Sequence, residues 1–179
     1  MFLHLKNNIF FLLPILFLAC GPNKNDQNHT KPINKEAIKK QFEKANRGLI
    51  QKESDDMDYY VKSHQMPFTK TSSGIRFYVY SPSAKGDSIR DGEEITMDYT
   101  VSLLDGTECY SSAAEGPKTF IVGHENLESG IHKGVQYLKR GDKALILIPS
   151  HLAHGLLGDM NKIPPQMPIV YDVQIKERK

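Results

Sequence analysis

Between Ile95 and Leu103 the chain alternates without a break: Ile95, Met97, Tyr99, Val101 and Leu103 are apolar, and Thr96, Asp98, Thr100 and Ser102 between them are polar. Successive side chains of a strand point to opposite faces, so nine residues of period two specify a half-buried antiparallel strand, ended by the turn pair Asp105-Gly106. The pattern repeats at the C-terminal end, where Ile169, Tyr171, Val173 and Ile175 alternate with Val170, Asp172, Gln174 and Lys176. Three shorter segments also read as strands. Ile75–Tyr80 closes at Ser81-Pro82, Phe120–Val122 stops at Gly123, and Ala144–Ile148 ends at Pro149. Gly130–Leu138 has room only for a short helix, with Ile131, Val135 and Leu138 on one side and Gly141 just beyond its end. Five strands and one short helix predict an α+β fold, an antiparallel sheet curling over the helix.

Ahead of this region the period is helical. From Asn34 to about His64, Ile38, Phe42, Ala45 and Leu49 recur at intervals of 4, 3 and 4, one apolar stripe. Asn34 is placed to cap the helix and Glu36 lies in its first turn. Gly48 weakens the middle by about 1 kcal/mol relative to Ala, and a second helical piece is expected from Ser54 to Ser63. The stripe has two uses open to it: packing on the domain that follows, or pairing with a second copy or an envelope partner through residues 35–62.

The first residues are of another kind. Ile9–Ala19 is an uncharged apolar run of eleven residues interrupted by Pro14. A spanning helix needs about 20, whereas a signal peptide needs about this many. The run ends Phe17-Leu18-Ala19-Cys20-Gly21, which resembles a bacterial lipobox and implies cleavage before Cys20 and acylation of its sulfur. Gly21–Lys35 is rich in Asn, Lys and Pro and reads as a tether. The expected organisation is therefore a signal peptide over 1–19, a tether over 20–34, a helical segment over 35–66 and a folded domain over 67–179. The bilayer is a partner through Cys20, and the location is the bacterial envelope, facing the periplasm. A net charge of +2 in 179 residues gives no electrostatic footprint for nucleic acid. Two cysteines cannot build a disulfide framework, and Cys109 reads as a small core residue. His124 and His132 are expected at the surface. His151, His154 and Asp159 make too weak a pattern for a metal.

The order of short motifs is specific. It runs Asp98-Tyr99-Thr100, Leu104-Asp105-Gly106-Thr107, Ser111-Ser112, Phe120 to Gly123, Gly130 to Val135, Gly141-Asp142, Ile148-Pro149, Ala153-His154-Gly155, Ile163-Pro164-Pro165 and Tyr171-Asp172-Val173. Over about residues 70–179 this resembles FKBP-type peptidyl-prolyl cis/trans isomerases. The lipobox, the leading helix, Glu128-Ser129-Gly130 and Leu152 to Asp159 are similar to the gliding-motility-associated lipoproteins of that family. The resemblance implies a five- to six-stranded antiparallel sheet curled around one short helix, proline-containing polypeptide clients and no cofactor.

It also implies a site. Tyr99, Phe120 and Tyr171 match aromatic positions of the pocket, Leu127 the aliphatic residue ahead of the helix, and Ile163 the apolar residue before the Pro pair. Glu128 matches the position whose backbone N–H holds the ligand carbonyl. His154 stands where a hydrogen-bonding Tyr is usual and Ile131 where the floor is usually Trp. Cys109-Tyr110 replaces a Phe-Asp pair, and Lys118 replaces a Phe. Taken alone, Glu128 and Lys118 would be solvated surface charges.

Overall fold

The computed structural model describes residues 34–177. The expected signal peptide, Cys20 and the expected tether as far as residue 33 lie outside the described residues. Helix α1 spans Lys35–His64, and the Asn34 side-chain oxygen accepts from the Ala37 N–H at 3.1 Å. It is one continuous helix, so no break occurs at Ser54. Pairs at i,i+4 carry it across that point: Gln51 donates to Asp55 at 2.8 Å and Lys52 to Asp56 at 2.6 Å. Gln65 ends it in the left-handed conformation, φ 54°, with its N–H on the Lys62 carbonyl.

The remaining elements are strands β1 (Thr69–Lys70), β2 (Arg76–Ser81), β3 (Glu94–Leu103) and β4 (Glu108–Ser111), helix α2 (Ser112–Glu115), β5 (Lys118–Ile121), helix α3 (Ser129–Val135), β6 (Lys143–Ile148), a 3₁₀ turn (Ser150–Leu152) and β7 (Ile169–Ile175). All strand pairings are antiparallel, in the order β1-β2-β6-β7-β3-β4. The long alternating strand sits near one side. Along one edge β3 pairs with β7 from Met97–Ile175 to Leu103–Ile169. Its other edge is divided: β5 takes Glu94–Met97 and β4 takes Thr100–Ser102. Strands β1 and β4 and helix α2 were not expected. Two to four residues are too few to show a period.

The sheet is covered on both faces. Inside, α3 lies against it with Ile131 and Val135 fully buried. Two glycines permit this approach, because a Cβ on Gly130 would stand 2.1 Å from Ile148 Cγ2, and one on Gly134 would stand 2.8 Å from Ile146 Cγ2. Outside, the last turns of α1 place Met57, Tyr60 and Val61 on Leu145, Leu147 and Val170. This second cover explains why β6 is an unbroken apolar run rather than an alternating one.

The stripe Ile38, Phe42, Ala45 and Leu49 does not pack on the domain; residues 34–50 are exposed throughout. The outer apolar patch of the sheet is small, and the C-terminal turns of α1 fill it. One buried charge fixes those turns. Arg76 is 2% exposed and donates to Asp58 Oδ1 at 2.6 and 2.8 Å, to the Ser54 carbonyl at 3.0 Å and hydroxyl at 2.9 Å, and to the Gly74 carbonyl at 2.7 Å.

Cys109 is buried, as its type suggests. His132 is not at the surface: it is 7% exposed, stacked edge-on against Phe120. Its Nδ1 accepts from the Gly123 N–H at 2.9 Å, so Nε2 carries the hydrogen and donates to the Glu125 carbonyl at 3.0 Å. With both nitrogens satisfied, burial of the ring costs little.

Candidate active site

Between the inner face of the sheet and the N-terminus of α3 lies an open cavity of about 190 Å³. β3 contributes Met97, Tyr99 and Val101, β4 Tyr110, α2 Glu115, β5 Lys118, and β7 Tyr171; Leu127 and Glu128 close it from the start of α3. The period of two on β3 does this work, because it turns Met97, Tyr99 and Val101 inward together. Tyr99 and Tyr171 face each other with ring centroids 6.3 Å apart, forming an apolar wall.

Both phenols are oriented by carboxylates. Tyr99 donates to Glu115 Oε2 at 2.7 Å, and Tyr171 donates to Glu128 Oε2 at 3.1 Å. Burial, then the hydrogen bond to Glu115 and the charges of Glu115 and Glu128, push the Tyr99 hydroxyl up to about 12. Burial and the Glu128 charge hold Tyr171 well above the ordinary phenol value. Both rings therefore stay neutral at any pH at which the protein would work. The other Glu128 oxygen lies 2.9 Å from His154 Nε2. The backbone N–H of Glu128 engages no acceptor among the described residues, which leaves a donor free at the N-terminal edge of α3.

The residues expected at the site fall into two groups. Tyr99, Tyr110, Leu127, Glu128 and Tyr171 line the cavity, and His154 joins them through Glu128. Phe120, Ile131 and Ile163 are 1%, 0% and 2% exposed and belong to the core behind the wall. Glu128 is half-buried at the cavity edge, whereas Lys118 lines the cavity and stays exposed to solvent. Glu115 carried no signal in the sequence, and nothing in the motif that holds Asp159 pointed to its contact with Tyr110. Glu115 sits on a four-residue helix without a period, and Asp159 reaches Tyr110 across 49 positions of chain.

The Asp159 carboxylate organises the loop after the 3₁₀ turn. It accepts from the Tyr110 hydroxyl, from the Asn161 N–H at 2.9 Å and from the Ile163 N–H at 2.8 Å. Partial burial raises its pKa, but these three donors outweigh burial and bring it down to about 2. A carboxylate depressed on folding adds stability above its unfolded value near 4 and loses it as pH falls through 2. The wild-type protein is therefore expected to lose stability between pH 4 and 2, by at most about 1 kcal/mol from this group after allowance for solvent screening. In Asp159→Asn that part of the acid limb should disappear. Denaturant midpoints measured at pH 2, 3, 4 and 6 check this, and identical acid limbs in the two proteins would refute it.

A sequence profile described as FKBP-type peptidyl-prolyl cis-trans isomerase matches residues 86–176. The chain is similar to the FKBP-type peptidyl-prolyl cis-trans isomerase FkpA of Buchnera aphidicola, with 33% identity over 150 residues, 81% of this chain and 56% of that protein. It is also similar to FkpA of Escherichia coli, with 28% identity over 76% of this chain and 50% of that protein. The crystal structure of the Escherichia coli protein superposes with a TM-score of 0.61 at 25% identity, covering 79% of this chain and 68% of that one. The chain thus spans about half the length of these curated relatives. With the profile matched over just over half of the 179 residues, and with a like fold in the solved relative, the chain belongs to the FKBP-type peptidyl-prolyl cis-trans isomerase family.

Proposed function

We propose that this protein is a peptidyl-prolyl cis/trans isomerase, anchored in the envelope through acylated Cys20 and acting on exported proline-containing polypeptides. The observation that carries the reading is the Tyr99–Tyr171 cavity with the unengaged Glu128 N–H at its edge. An X–Pro bond isomerises over a barrier near 20 kcal/mol, in tens of seconds unaided. That barrier is lost amide resonance. The planar amide is the more polar and better hydrated state, so a dry aromatic wall disfavours it relative to the twisted one. A fixed N–H holds the carbonyl oxygen while the proline side rotates. No nucleophile or proton transfer enters this scheme.

The anchor rests on the resemblance of Leu18-Ala19-Cys20-Gly21 to a lipobox. A role in gliding motility or secretion machinery rests on the likeness of Leu152–Asp159 and Glu128-Ser129-Gly130 to that branch of the family. The exposed stripe of α1 is the surface on which a second copy or an envelope partner would sit. Phe120, Ile131 and Ile163 back the wall in this scheme, while Tyr110, Leu127 and His154 border the bound peptide.

A protease-coupled assay on peptides with varied residues before proline tests the activity. Acceleration at nanomolar protein is expected. One observation favours a second reading, a binding module without turnover: three charged side chains, Glu115, Lys118 and Glu128, line a cavity of only about 190 Å³. No acceleration at micromolar protein, combined with suppressed aggregation of an unfolded client, would establish that reading instead.

A further inference from the structure

The loop that carries His154 begins at Ser150, and Ser150 is held from outside its own domain. Glu53 of α1 accepts from both of its donors: one carboxylate oxygen takes the Ser150 N–H, and the other takes the hydroxyl at 2.8 Å. The Ser150 carbonyl in turn accepts from the Ala153 N–H at 3.0 Å and the Gly155 N–H at 2.8 Å. These two bonds bracket His154, whose Nε2 stands 2.9 Å from Glu128 Oε1. Glu128 then meets Tyr171 at 3.1 Å. Ser150 is 7% exposed, so without Glu53 its N–H and hydroxyl would be buried and unpaired. Glu53 is itself held in place, because Ser54 and Asp58 next to it are fixed by the Arg76 guanidinium.

We infer that Glu53 is a positioning residue for the isomerase site, setting the place of His154 and through it the Glu128 carboxylate at the cavity edge. It lies outside residues 86–176, so the helix in front of the family domain forms part of the active-site scaffold. The inference rests on the isomerase reading for its kinetic consequence and on geometry alone for its structural one. Small displacements of positioned groups cost rate steeply.

The test uses the full mature chain with E53A, E53Q, H154A and the E53A/H154A pair. In E53A, kcat/KM should fall about tenfold, mainly in kcat, because the tyrosine wall that binds proline is untouched. E53Q keeps an acceptor for the Ser150 N–H and should stay within about twofold of wild type. In the H154A background, E53A should cost less than about twofold more, since both act through one route. The His154 imidazole resonances should shift in E53A while those of His124, distant on the β5–α3 connection, stay in place. Unchanged kcat/KM in E53A, multiplying losses in the double variant, or unmoved His154 resonances would each overturn the inference. A wild-type protein without isomerase activity would sink the functional reading alone, and the imidazole resonances would then decide the coupling. Should E53A fail to fold, E53D and Ser150→Ala carry the same comparison, each removing part of the clamp.

Discussion

In Tyr99→Ala, kcat/KM on proline peptides should fall at least about 100-fold, a loss near 2.7 kcal/mol in the transition state. Tyr99→Phe should stay within about threefold of wild type. The two substitutions separate what the ring does from what the hydroxyl does. Tyr99 is 7% exposed, and its ring forms the cavity wall opposite Tyr171. Truncation to Ala lets water into the cavity and removes the dry surface that disfavours the planar amide. Phe keeps that surface and loses only the hydrogen bond to Glu115. Because truncating a buried aromatic also costs about 3–5 kcal/mol of stability, the assay belongs at low temperature, with circular dichroism showing that the variant is folded. A folded Tyr99→Ala at full activity would remove the cavity from the mechanism. A hundredfold loss in Tyr99→Phe would move the chemistry from the ring to the phenol.

A large effect on stability alone is expected at a residue far from the cavity. Asp58→Ala should destabilise the protein by about 3 kcal/mol, roughly 6–12 °C in Tm for a chain of this size. Asp58 is itself half-exposed, but its partner Arg76 is 2% exposed. Removing the acid strands a buried guanidinium, and Lys70, 2.9 Å from the same carboxylate, adds a second unbalanced cation. Arg76→Met should cost less, about 1 kcal/mol, since an apolar chain of similar length leaves no buried charge. A larger loss in Arg76→Met than in Asp58→Ala would reverse the argument.

The sign with pH follows from the same contacts. Burial raises the Asp58 pKa, but the hydrogen bonds from Lys70 and Arg76 and their charges outweigh it, and the net direction is downward. Its contribution is therefore present above the unfolded value near 4 and fades as pH falls through the folded one. The difference in stability between wild type and Asp58→Ala should shrink below pH 4.

Much of this was legible in the linear chain. Period two over Ile95–Leu103 fixed which face of β3 carries Met97, Tyr99 and Val101, because alternation is a local property of an extended backbone. Asn34 as a cap and Cys109 as a core residue follow from side-chain chemistry that acts within a few residues or through size and polarity alone. The motif order singles out Leu127, Glu128 and Tyr171, and all three line one cavity.

What only the tertiary structure decided are pairings between residues far apart in sequence. The clamp of Glu53 on Ser150 spans 97 positions, Tyr110 on Asp159 spans 49, and Arg76 on Asp58 spans 18. No period or spacing announces such contacts, since each arises where two surfaces meet after folding. The fate of the α1 stripe and the burial of His132 belong to the same class. Whether an apolar stripe is covered depends on how much apolar surface the opposing sheet has left, and whether an imidazole can be buried depends on which backbone groups meet its nitrogens. Local chemistry chose the elements; the third dimension chose their partners, and the partners placed the charges around the cavity.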